Sequence, residues 1–174
     1  CSKQEYDRIL GAGLQILAGF EVSKTSWQHG RPLGLQHGEM ARRKWRAKGH
    51  PDSRPIAFAV DSDVPATTQA VDLACAYLGG CAEAGGLEST YGETEVIDAA
   101  FDRGITVNAW RAAAFGWDRN PSKHASLEQR VTKSYPQFPP DAQGNWPYDE
   151  NVILKPDWGQ HPAPTGVEVA NPPY

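Results

Sequence analysis

The stretch PIAFAVDSDVP, at residues 55–65, joins an apolar run to two acids. Residues 55–60 have the length and the apolar character of a buried strand. Asp61 follows this strand directly, and Asp63 comes two residues later. Functional groups gather at the carboxyl ends of strands in parallel α/β folds. The junction therefore predicts a strand of such a fold with a candidate site at its end.

Strands and helices alternate on both sides of this stretch. The other candidate strands are LQILAGFEV (14–22), LESTYG (87–92), ITVNAW (105–110), SLEQRV (126–131) and ENVILK (150–155). One predicted helix begins after a cap at Ser2. Three further helical patterns cover residues 35–48, 66–85 and 93–104. Strands that alternate with helices predict parallel pairing through right-handed crossovers, and so an α/β architecture. We expect one domain at residues 1–160 and a proline-rich tail or linker at 161–174.

Composition and charge exclude several classes of function. The net charge is −4, and the 17 basic residues are scattered except in ARRKWRAK at residues 41–48. The helical spacing of this group favours a solvated helix face, with a binding patch as the alternative. We expect no nucleic-acid partner and, because no run of about 18 apolar residues occurs, no membrane span.

Cysteines and histidines give no sign of a cofactor. Cys75 and Cys81 lie six residues apart in one predicted helix, which turns their side chains apart, so free thiols are expected. The five histidines show no metal-ligand spacing, and the glycines of LGAGLQILAG precede a strand instead of following one. We therefore expect no metal and no bound cofactor.

Acids occur beside three of the candidate strands. Glu21 lies in an otherwise apolar strand, where an acid should be paired or catalytic. Asp61 is expected to point into the site, whereas Asp63 is either functional or a turn or cap residue before the next helix. Asp149, with Glu150, lies beside the last strand. We take Glu21, Asp61, Asp63 and Asp149 as candidate catalytic residues.

Paired acids of this kind suit the hydrolysis of a glycosidic bond. One carboxyl group must be protonated to donate to the leaving oxygen, while an ionised one attacks the sugar carbon or activates water. Aromatic side chains could stack on sugar rings, and five tryptophans fall in predicted loops or at strand ends: Trp27, Trp110, Trp117, Trp146 and Trp158. The alternative for each is a place in the core or in a lid.

A series of segments resembles a known family. The segments are SKQEYDRILGAGLQILAGFEV, RPIAFAVDSDVP, STYGETEVIDAAFDRGI, NAWRAAAFGW, HASLEQRV and YDENVILKPDWGQ. Together they look like the glycoside-hydrolase-like domain of unknown function found in actinobacterial exported proteins and in phage lysin and tail proteins. The resemblance implies a TIM-type (β/α)8 barrel related to lysozyme-like glycoside hydrolases. It also implies Glu21, Asp61 and Asp63 at the site, with Tyr91, Trp110, Gln129 and Asp149 around the barrel mouth.

Two departures from that family affect the expected site. Relatives have two further strands upstream of the segment that matches residues 2–22, so we expect a barrel without its first two strands in this chain. Relatives also tend to carry Trp-Gln followed by a second Trp where this chain has Arg111 and Phe115. We therefore include Arg111, with Trp27, Tyr91, Trp110 and Gln129, among the candidate substrate-binding residues.

Two functions of different class follow from these features. The first is a glycoside hydrolase acting on bacterial cell-wall polysaccharide, of peptidoglycan or arabinogalactan type, with Glu21 as the general acid and Asp61 as the nucleophile or base. The second is a non-catalytic wall-binding or structural module, for instance in a phage minor tail protein. Either function implies an extracellular, wall-associated or virion location, with wall polysaccharide or other virion proteins as partners.

Overall fold

The computed structural model describes residues 1–112, 120–130 and 150–162. Within these ranges four α-helices, one 3-10 turn at Ser26–His29 and six β-strands occur. The helices are α1 (Lys3–Gly11), α2 (Gly30–Arg46), α3 (Thr68–Gly85) and α4 (Thr94–Asp102). The strands are β1 (Ala18–Phe20), β2 (Ile56–Ala59), β3 (Glu88–Gly92), β4 (Asn108–Arg111), β5 (Leu127–Arg130) and β6 (Glu150–Ile153). All six candidate strands are confirmed, although β1 is shorter than predicted.

The strands form one sheet in sequence order, from β1 at one edge to β6 at the other. The first five strands are parallel, and β6 is antiparallel to β5. The prediction of a TIM-type (β/α)8 barrel is therefore wrong, because the described residues form a six-stranded mixed sheet that amounts to a half-barrel. The prediction of parallel pairing was wrong for β6. Parallel pairing is expected of strands that a helix connects, and the sequence between residues 131 and 149 shows no helical pattern.

The first and third helices begin with conventional caps. The Ser2 hydroxyl accepts a hydrogen bond from the Glu5 backbone N–H at 3.1 Å, and the Glu5 carboxylate accepts from the Ser2 N–H, which is a capping box. Thr67 caps α3 by accepting from the Ala70 N–H. The predicted helix start near Ala66 was thus two residues too early.

Helices α2 and α3 approach each other closely through glycines. A Cβ atom added at Gly34 would lie 2.1 Å from the Tyr77 carbonyl oxygen, and one at Gly80 would lie 2.5 Å from the Arg31 carbonyl oxygen. Because Gly30 and Gly34 resemble loop residues in the sequence, the predicted start of α2 at residue 35 was five residues late. Their tertiary contacts outweigh the low helix propensity of glycine.

The helices cover one face of the sheet. Side chains alternate along each strand, so Ala18, Phe20, Ile56 and Phe58 face the helices and form the main core with residues such as Leu78. The opposite positions, Gly19, Ala57 and Ala59, face the other side. The sheet thus has a packed face and an open face.

Residues 154–162 cross the amino ends of the strands. The Leu154 N–H donates to the Ser126 carbonyl at 2.9 Å, and the Asn108 side-chain amide donates to the Asp157 carbonyl at 3.1 Å. At the far edge, His161 and Ile16 exchange two backbone hydrogen bonds. Residues 163–174, most of the predicted tail, lie outside the described residues, and the predicted boundary at residue 160 stays a prediction.

Candidate active site

An open cavity of about 650 Å³ lies on the open face of the sheet, where the parallel strands end. Every strand of the sheet contributes to it, and the lining residues are Gly19, Phe20, Glu21, Ala57, Ala59, Asp61, Tyr91, Trp110, Gln129 and Asn151. Because β6 is antiparallel, it is the amino end of this strand that reaches the cavity. Glu150 lies opposite Arg130 in the backbone register of β5 and β6, and Asp149 lies outside the described residues.

The two-residue periodicity of strands places Glu21 and Asp61 in this cavity. Glu21 follows Gly19 by two residues at the end of β1, and Asp61 follows Ala59 by two residues at the end of β2. Strands β1 and β2 are neighbours with Gly19 opposite Ala57, so the two acids follow adjacent strands at the same end of the sheet. The structure therefore brings together the two acids on which the sequence analysis relied most.

The charges around Glu21 and Asp61 are unequal. Lys24 Nζ lies 3.1 Å from Asp61 Oδ2, and the Lys24 side chain is otherwise largely exposed. Partial burial raises the pKa of Glu21, the negative charge of Asp61 raises it further, and the charge of Lys24 lowers it. Burial and the neighbouring charge of Asp61 thus favour the protonated form of Glu21.

Two buried side chains hold the loop that carries Asp61. The Trp27 indole N–H donates to the Ser62 hydroxyl at 2.7 Å, and the Glu93 carboxylate accepts from the Val64 N–H at 2.8 Å. Trp27 and Glu93 are both almost fully buried. The position of Asp61 is therefore fixed by anchors on either side of the loop as well as by its strand.

The wall formed by β3 to β6 is aromatic and amide-rich. The Tyr91 and Trp110 rings meet edge to face with their centroids 4.9 Å apart. The Tyr91 hydroxyl donates to Gln129 Oε1 at 2.7 Å, and the Trp110 indole N–H donates to Asn151 Oδ1 at 2.7 Å. The side chains of Tyr91, Trp110 and Gln129, predicted as substrate-binding residues, thus surround one part of the cavity.

Three predicted site residues do not line the cavity. Asp63 is exposed outside it, and Trp27 is a core residue with 5% of its surface exposed. Arg111 is 4% exposed and lies on the helix-facing side of β4, where its guanidinium contacts the Thr94 hydroxyl and the Glu128 carboxylate. Its neighbour Trp110 faces the cavity because adjacent strand residues point to opposite faces. Trp117 and Trp146 lie outside the described residues.

Sequence reasoning missed Lys24, Glu93 and Asn151. Asn151 lies two residues after the candidate Asp149, and it lines the cavity because β6 is antiparallel. Glu93 follows β3 as Asp61 follows β2, so the strand-end rule contained a signal that was not used. Lys24 has no motif around it and meets Asp61 only through the fold.

The described residues show three further features. None of their His, Cys, Asp and Glu side chains form a group of three or more that could hold a metal ion. No helix among them is long and apolar enough to cross a membrane. All three cysteines are free, with Cys75 and Cys81 buried and Cys1 exposed.

Solved structures of one protein are similar to this chain. The Mycobacterium tuberculosis Tat-secreted protein Rv2525c, in complex with HEPES, matches with a TM-score of 0.75 and 26% identity. The match covers 91% of this chain and 77% of that chain. The same protein in complex with L-tartrate matches with a TM-score of 0.73, at the same identity and coverage. A comparison with curated proteins gave no match.

The family comparison covers most of the sequence. The model of the Rv2525c-like, glycoside hydrolase-like domain matches residues 1–152, a range that includes every described strand except the last residue of β6. The match confirms the family resemblance drawn from the sequence segments. The chain belongs to the Rv2525c-like family of glycoside hydrolase-like domains.

Proposed function

We propose that this chain is a glycoside hydrolase that acts on bacterial cell-wall polysaccharide, with Glu21 as the general acid and Asp61 as the nucleophile or base. One observation carries the proposal. Glu21 and Asp61 line the same cavity, and burial together with the charge of Asp61 raises the pKa of Glu21. A protonated carboxyl group beside an ionised one is the arrangement that glycosidic cleavage requires.

The two acids would divide the reaction between them. The Glu21 carboxyl group donates its proton to the glycosidic oxygen as the bond from that oxygen to the sugar carbon breaks. The Asp61 carboxylate then either bonds to that carbon, giving an ester that water later hydrolyses, or takes a proton from the water that attacks it. Lys24 Nζ, 3.1 Å from Asp61 Oδ2, places a positive charge beside the carboxylate in either step.

The remaining support comes from the wall of the cavity and from the relative. Tyr91 and Trp110 offer aromatic faces at the cavity, as sugar-binding sites commonly do. Rv2525c is described as Tat-secreted, which supports export of this chain from the cytoplasm and fits a substrate in the cell wall.

The experiment measures the release of soluble sugar fragments from purified actinobacterial cell walls. We expect release by the wild type and a loss of at least about a hundredfold in Glu21→Gln and in Asp61→Asn, the scale of a missing acid or base. Asp63→Asn is the matched control, because it makes the same chemical change at an exposed position outside the cavity. Equal rates in all four proteins, each shown to be folded, would refute the assignment.

A non-catalytic wall-binding module is the second candidate. The ion pair between Lys24 and Asp61 favours it, because a carboxylate engaged by an ammonium group is a weaker nucleophile. This function predicts no fragment release, together with binding to the same cell walls that survives Glu21→Gln and Asp61→Asn. Co-sedimentation of each protein with the walls measures that binding.

A further inference from the structure

We propose that Gln129 and Asn151 form a subsite that binds the acetamido carbonyl of an N-acetylated sugar, with Tyr91 and Trp110 as positioning residues. The inference rests on the proposed function, since it names the substrate class of the same cavity. It starts from the side-chain amides of Gln129 on β5 and Asn151 on β6. The oxygen of each amide already accepts a hydrogen bond from the protein.

The indole of Trp110 fixes the orientation of Asn151. An indole N–H can only donate a hydrogen bond, so the atom of Asn151 that lies 2.7 Å from it must be the amide oxygen. The NH₂ group of Asn151 then points away from Trp110. The Tyr91 hydroxyl donates to Gln129 Oε1 at 2.7 Å, and in this arrangement the NH₂ group of Gln129 points away from Tyr91.

The four side chains brace one another across the sheet. Gln129 and Asn151 are register partners on β5 and β6, and Tyr91 and Trp110 are register partners on β3 and β4. Each hydrogen bond skips one strand, since one joins β3 to β5 and the other joins β4 to β6. Such a brace keeps both amides in place before a ligand arrives, which lowers the entropic cost of binding.

Both amide nitrogens remain available to a ligand. Among the described residues, neither Gln129 Nε2 nor Asn151 Nδ2 donates to a protein group, although both side chains line the cavity. Two neighbouring N–H donors suit a ligand acceptor oxygen. None of the described lining residues is cationic, so a neutral carbonyl fits better than a carboxylate, which would favour arginine or lysine.

The order of the strands places the aromatic pair between this subsite and the two acids. Glu21 and Asp61 follow β1 and β2, the aromatic pair lies on β3 and β4, and the amides lie on β5 and β6. Gly19, Ala57 and Ala59 have little or no side chain and leave room in front of the acids. A sugar stacked on the aromatic pair would have the acids on one side and the amides on the other.

The test compares two trisaccharides that differ in the acetamido group. Binding of the β-1,4 trimers of N-acetylglucosamine and of glucose is measured by calorimetry, in the Glu21→Gln background to prevent turnover. Asn151→Asp and Gln129→Glu each keep an oxygen for Trp110 or Tyr91 and replace the free NH₂ group by an acceptor. Gln69→Glu, at an exposed position of α3, is the control for added charge.

We expect a preference for the acetylated trimer that falls about tenfold in each cavity variant and is unchanged in Gln69→Glu. Tyr91→Phe should lower the same preference without removing it, because Gln129 stays but loses its orienting bond. An equal loss for both trimers, no loss, or no initial preference would each overturn the subsite. Hydrolysis is not part of the readout, so failure of the proposed catalysis is distinguishable from failure of the subsite.

Discussion

At the scale of single residues, Glu21 and Asp61 were predictable and their surroundings were not. An acid within or directly after an apolar strand is a local sequence feature, and the period of two then sets the face on which it emerges. Lys24 meets Asp61 through the path of a loop, and Asn151 lines the cavity through the direction of β6. No local pattern specifies either feature. The sequence therefore indicated the charged pair but not the groups that surround it.

The charges around Glu21 can be tested one at a time. Lys24→Gln removes a cation that lowers the pKa of Glu21, so its titration midpoint should rise. Asp61→Asn removes an anion that raises the pKa, so the midpoint should fall. The shift in Lys24→Gln should stay below about one pH unit, because Lys24 is exposed and its field is screened.

Carbon NMR of the Glu21 carboxyl group measures both midpoints without requiring activity. Asp63→Asn, which removes a carboxylate outside the cavity, should leave the Glu21 midpoint in place. Shifts of the same sign in Lys24→Gln and Asp61→Asn would contradict the electrostatic description of the site.

At the scale of elements, local patterns succeeded where an element buries one face and failed where tertiary contact decides. The strands within LQILAGFEV and PIAFAV were found because apolar runs of strand length are distinctive. The first turn of α2 was missed because its glycines resemble a loop, although they are needed where α2 meets α3. The direction of β6 was missed because it depends on the connection and not on the strand itself.

Two adjacent glycines of α3 test that helix contact. A Cβ atom at Gly80 would lie 2.5 Å from the Arg31 carbonyl oxygen and 2.9 Å from the Leu35 nitrogen, so Gly80→Ala must push α2 and α3 apart. We expect a loss of about 2 kcal/mol or more in the free energy of unfolding. Urea denaturation followed by circular dichroism measures it.

Gly79→Ala is the matched control for this substitution. The nearest atom to a Cβ there is Ile105 Cδ1 at 4.0 Å, so the methyl group meets ordinary contact distances. Alanine in a helix interior should raise the free energy of unfolding by about 0.5–1 kcal/mol. If both substitutions changed the free energy of unfolding by a similar amount, the close contact between α2 and α3 would not explain the effect of Gly80→Ala.

At the scale of the whole molecule, the sheet separates a packed face from the face with the cavity, and an acid is buried on the packed side. Glu88 opens β3 with 1% of its surface exposed, and its Oε1 accepts from the Thr90 hydroxyl at 2.9 Å. Within the described residues Oε2 has no hydrogen-bond partner. Burial raises the pKa of Glu88 to about 8, against an ordinary value of 4.5.

This buried acid makes the stability of the whole fold depend on pH. Below pH 4.5 the carboxyl group is protonated in both the folded and the unfolded chain, and it contributes no pH dependence. Between pH 4.5 and 8 the unfolded chain loses the proton while the folded chain keeps it. The free energy of unfolding should therefore fall as pH rises, by up to about 1.4 kcal/mol per pH unit from this group.

Glu88→Gln should remove that slope, because a glutamine is neutral at every pH in the range. The substitution changes packing and hydrogen bonding by an amount that does not depend on pH, so the test is the difference between variant and wild type. Measured by urea denaturation at pH 5, 6.5 and 8, this difference should move steadily in favour of the variant. Glu39→Gln, at an exposed position of α2, is the control and should run parallel to the wild type. A pH-independent difference for Glu88→Gln would show that Glu88 does not hold its proton in the folded chain.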